Sequence, residues 1–164
     1  MLISVVQAVL LRELAAVQRS VQAYPDDAAV WALPQGLPNA GGTIVLHLAG
    51  NLQHFVGAVL GGTGYKRDRA AEFARRDVPR AELLAELAST IDAVRSTLPT
   101  MREDSLAWSY PEKIGGQELP TGVVLMHLAT HLAYHLGQLD YHRRVVTGDS
   151  SGVGAVSPLG IGGE

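Results

Sequence analysis

From Thr121 to about Val146, apolar residues recur every three or four positions, at Val124, Leu125, Leu128, Leu132, Leu136 and Leu139, with four histidines threaded between them. That period is the buried stripe of an amphipathic α-helix. Any fold must therefore cover this stripe and find partners for His127, His131, His135 and His142. Three earlier segments carry the same period. Val6, Val9, Leu10, Leu14, Val17 and Val21 form a first helix that stops near Tyr24, before Pro25. Ile44, Leu46, Leu48, Leu52, Phe55, Val56 and Val59 form a second, capped by Thr43 and ended by Gly61 and Gly62. Leu83, Leu84, Leu87, Ile91, Val94 and Leu98 form a third, between Pro79 at its first position and Pro99 at its end. Thr121 caps the fourth. Four such helices without an alternating strand pattern predict an all-α, four-helix bundle.

The connectors are long and irregular. Residues 25–42 carry three prolines and end in two glycines, with Trp31 and Leu33 expected to pin them to the core. Residues 63–77 are polar and read as a solvated loop, and 100–120 as a crossover with a short strand-like turn. Beyond Gly148 the chain is rich in Gly and Ser, which predicts a mobile tail. At 164 residues and 47% hydrophobic content there is material for one core. The expected organisation is a single domain over 1–147 and a tail over 148–164.

Composition excludes several functions. With no cysteine there is no disulfide, thiolate ligand or thiol nucleophile in the protein. The 13 Lys and Arg are scattered under a net charge of −3, so nucleic acid is not an expected partner. No run approaches the roughly 18 to 20 apolar residues that span a bilayer, and no membrane association is expected. The opening LISVVQAVLL lacks a basic start and runs into Arg12 and Glu13, so it reads as helix and the protein as cytoplasmic.

His127, His131 and His135 are spaced by four residues. Each step of four turns a helix by about 40° and lifts it by about 6 Å, so neighbours stack on one face. Two imidazoles one turn apart can converge on an ion, but three in a row drift too far around the helix. Spacing alone leaves open which two converge. A further ligand must come from another element, and His47 lies on the inward face of the second helix. A single buried His is more often a hydrogen-bonded core residue, but three imidazoles against an apolar core leave many nitrogens to satisfy without a metal. A zinc peptidase helix is disfavoured because Leu follows the histidine in both HLATH and HLAYH. A di-iron carboxylate bundle is disfavoured because no Glu is followed three residues later by His.

HLAGNLQHF in the second helix and HLATHLAYHLGQLDYHRR in the fourth closely resemble the DinB/YfiT-like superfamily of bacterial helical-bundle proteins, as does the intervening GGTGYKRDRAAEF. The resemblance runs from the first helix to about Thr147. In the family the ligand pair directly precedes a Gly-Gln pair, here Gly137 and Gln138. This implies His47, His131 and His135 as the metal set, with His127 as their neighbour. His54, Asn51 and Gln138 are expected to line the pocket or touch the ligands.

The resemblance also implies a nickel- or zinc-type divalent ion and, from characterised members, a thiol-linked role. The leading expectation is thus a metal-dependent, thiol-dependent S-transferase acting on small electrophilic compounds, with a low-molecular-weight thiol as cosubstrate and no catalytic side chain assigned. From another class comes a non-catalytic metal-binding or sensing module. A metal-free bundle with a histidine-lined core is a third reading. Tyr65, Arg67 and Arg69 are candidates for holding a substrate carboxylate, since Arg offers a planar fork of donors. A two-fold homodimer is expected from the apolar first helix and the resemblance.

Overall fold

The structure, a computed structural model, describes residues 1–154. Most of the tail expected to be mobile lies outside these described residues. Four long helices form an all-α bundle: α1 (Leu2–Gln22), α3 (Gly41–Leu52), α5 (Arg80–Thr97) and α6 (Thr121–Thr147). Two short helices, α2 (Asp27–Trp31) and α4 (Arg69–Ala74), sit in the connectors. Helix α1 packs on α5 and α6, and α3 packs on α4, α5 and α6. No strand forms among the described residues, and the strand-like turn of the crossover is two isolated bridges, Ser109 with Pro120 and Ile114 with Gln117.

The predicted stripes are the core. All six apolar positions of α6 are buried, with Leu125, Leu132 and Leu139 at 0% exposure. Burying a side chain of this size contributes roughly 1.5 to 3 kcal/mol, so this stripe is a principal stabilising contact of the bundle. Helix α6 ends at Gly148, whose φ of +70° is the left-handed conformation that closes helices cheaply only when the residue is glycine.

Helix α3 departs from expectation in three ways. It starts at Gly41 with Ala40 as its N-cap, so Thr43 is inside the first turn, and its buried Oγ1 has no partner among the described residues. It continues as a wider π-helical stretch, Gln53–Leu60, in which Gly61 N–H donates to Val56 O, five residues back, at 3.0 Å. Together Gly41–Leu60 is long and apolar enough to cross a membrane by length and composition, contrary to the sequence expectation, but 72% of that window is buried inside the bundle. Its apolarity is that of a helix surrounded by other helices.

The connectors also depart from expectation. Trp31 does anchor its segment, donating from Nε1 to Val78 O at 2.9 Å, but Leu33 is 59% exposed and pins nothing. The supposed solvated loop 63–77 contains α4, whose N-cap Asp68 accepts from Ala71 N–H at 2.9 Å. The described start of the tail is docked: Arg19 Nε donates to Val153 O at 2.7 Å, and the fully buried Arg143 bonds the carbonyls of Asp149 and Ser151.

Candidate metal centre

Helix α3 presents His47 to α6 because the stripe that buries Ile44, Leu48 and Leu52 turns the intervening residue toward the same interface. Helix α6 presents His131 and His135 one turn apart. Ring centroids of His47 lie 5.1 Å from both, and those of His131 and His135 are 4.5 Å apart. One ligand nitrogen from each ring falls within 4.8 Å of the other two. The Nε2 atoms of His47 and His131 are 3.2 Å apart, close to the roughly 3.4 Å that two nitrogens keep on a tetrahedral ion with bonds near 2.1 Å.

Two of the three rings are aimed from outside. His47 Nδ1–H donates to Glu72 Oε2 at 2.9 Å, and His135 Nδ1–H donates to Gln138 Oε1 at 2.7 Å. A neutral imidazole that donates from Nδ1 keeps its lone pair on Nε2. Both Nε2 atoms are therefore bare acceptors. A carboxylate behind a histidine in this way is the usual means of fixing a ligand's tautomer and raising its basicity.

Electrostatics favour neutral imidazoles on α6. Burial, and then the proximity of His135, His47, His127 and Arg67, push the His131 imidazole down to about 4. Burial also lowers His135, against the opposing bond to Gln138. Burial alone would raise the Glu72 carboxyl, but hydrogen bonds from His47 and Arg67 and the Arg67 charge hold it below its usual value. The His131 Nδ1 and Asn51 Oδ1 atoms are buried without partners among the described residues. Three clustered imidazoles around a polar, partly buried point suit a divalent metal ion, and the residues present fit one.

Glu72 was not picked out from the sequence. It is 6% exposed and accepts a bidentate pair from Arg67, from Nε at 2.6 Å and from Nη2 at 2.9 Å. Its approach depends on Gly50, where a Cβ would stand 2.2 Å from Glu72 Oε1. Two signals existed: a glycine one turn after His47, and Asp68 placed to cap a helix carrying Glu72.

The other expected site residues are arranged differently. Arg67 is turned inward onto Glu72 and stacks 5.6 Å from the Phe55 ring, so its fork is already filled from within the protein. Arg69 is exposed and stacks on Phe73 at 5.1 Å. Tyr65 lines a small space with Glu72 and Glu86, away from the inward-facing nitrogens. The Arg67 fork is therefore not free for a substrate carboxylate. His54, expected to line the pocket, lies at the start of the π-helical stretch and meets Glu112 of the crossover at 2.9 Å. Asn51 is buried one turn after His47, and the exposed His127 stands beside His131 at 5.9 Å between centroids.

The sequence model of the DinB superfamily matches residues 10–139. The chain belongs to the DinB superfamily. The matched span runs from the first helix through the whole histidine set to just past Gln138. No curated protein and no solved structure shows a significant match. As a DinB superfamily member with three clustered imidazoles, the chain has what a metal-binding bundle requires.

Proposed function

We propose that this protein holds one divalent ion, nickel or zinc, on His47, His131 and His135, and serves as a thiol-dependent transferase of small electrophilic compounds. The observation that supports it is the inward aim of two Nε2 lone pairs, fixed by Glu72 and Gln138, toward a third imidazole that stays neutral. A bound ion would supply Lewis acidity, lowering the pKa of a thiol or water that reaches it. The chain's own part is positional. Glu72 and Arg67 brace His47, Gln138 braces His135, and α3 and α6 bring the two helix faces together. Because the chain has no cysteine, the sulfur comes from a small thiol.

The test is metal content by elemental analysis, followed by nickel and zinc titration of chelator-treated protein. One ion per chain is expected, with His131→Ala losing it. Metal-loaded protein should then accelerate conjugation of a low-molecular-weight thiol to an electrophile such as a chlorodinitroarene. Stoichiometric metal without acceleration across several thiols would replace the transferase by a metal-binding or sensing module. No bound metal would overturn both.

A further inference from the structure

The helices that carry the histidines also wall a second space about one turn away. Ile44, three residues before His47, and Gln138, three after His135, line a cavity of about 220 Å³ with Leu37, Pro38, Tyr141 and His142. A dry cavity of roughly 150 Å³ lined by aliphatic and aromatic groups is enough to hold benzene. This one is larger but opens to solvent past the exposed Tyr141 and Val145, and it has room for a single ring with a small substituent, or a short branched chain.

Its polar character is limited and directional. No Lys, Arg, Asp or Glu lines it. Tyr24 OH bonds His142 Nδ1 at 2.6 Å, and His142 Nε2–H donates to Ala32 O at 2.8 Å, so that ring offers the cavity only its carbon edge. The Gln138 carbonyl oxygen is committed to His135. What remains is the Gln138 amide N–H₂, which has no acceptor among the described residues, with Asn39 and the Tyr141 hydroxyl also on the lining.

We propose that this cavity binds a small, uncharged, largely apolar molecule bearing one acceptor oxygen, such as an aryl ketone, held by the Gln138 amide. Its role as the seat for the apolar part of an electrophile rests on the transferase reading, while the binding itself does not. The same glutamine touches the ligand with one end and His135 with the other. That places the bound molecule next to the histidine centre.

Acetophenone and ethylbenzene, which differ in one oxygen, are titrated into the full chain and followed by protein NMR. Saturable acetophenone binding with a Kd on the order of 1 mM or tighter is expected. Gln138→Leu should weaken acetophenone by roughly three- to tenfold, the loss of one hydrogen bond, and ethylbenzene by less than about twofold. Ile44→Trp fills the space and should abolish binding. Val145→Trp, at a lining position that is 60% exposed and so tolerant of bulk, should do the same in a protein that stays folded. Absence of saturation in the parent protein, or unchanged affinity in the folded tryptophan variants, overturns the site. Nickel uptake by the same samples separates the two readings. Ketone binding without nickel uptake removes the metal centre alone, and nickel uptake without ketone binding removes the cavity alone.

Discussion

At His47 one ring nitrogen is aimed inward because the other is spent on Glu72, which is itself gripped by Arg67. A row of candidate histidines was legible because a step of four residues on a helix is a local property, while the choice of His131 and His135 over His127 came from the resemblance. Glu72 left only the hints of Gly50 and the Asp68 cap, since it lies 25 residues from His47 on an element too short to show a period. Nor could the fate of Arg67, because a planar fork of donors looks the same whether its carboxylate belongs to a substrate or to the next turn of chain. Glu72→Gln keeps an acceptor but removes the charge behind the ring. It should lower nickel affinity by about 10- to 100-fold, measured by calorimetric titration, with the folded far-ultraviolet spectrum retained. An unchanged affinity would reduce Glu72 to a structural contact.

Helices α1, α5 and α6 follow from their apolar period, and their buried residues are largely the ones that period names. Helix α3 carries little contrast between its faces. Nearly every residue from Gly41 to Leu52 is apolar or small, and all are buried, so periodicity could not tell which face met which neighbour. The π-helical stretch that follows widens the turn, and His54 at its start pairs with Glu112. At this scale stability depends on the α6 stripe: Leu132→Ala, at a fully buried position, should cost about 2 to 5 kcal/mol. Urea unfolding of metal-free protein measures this directly, and a loss under about 1 kcal/mol would mean the neighbouring helices collapse into the space.

For the whole molecule, folding holds several imidazoles neutral. His131 falls to about 4, and His135 and His142 are lowered too, chiefly by burial. In the unfolded chain the same rings titrate near 6.5. The unfolded state therefore binds more protons between these values, and the stability these rings contribute is full above about pH 6.5 and is lost as pH falls toward 4. The melting temperature of chelator-treated protein should drop between pH 7 and pH 4.5, and His131→Asn should flatten that drop. A melting temperature flat over this range in the parent protein would contradict the burial of these rings. The sequence by itself determined the all-α class, the four long helices and a row of candidate histidines, because helical period and residue chemistry are carried by neighbours along the chain. Only the tertiary structure decided that Glu72 and Gln138 aim those rings, that Arg67 turns inward and that a cavity sits beside them. These depend on which surfaces meet across the bundle, and that is settled by packing between segments far apart in sequence.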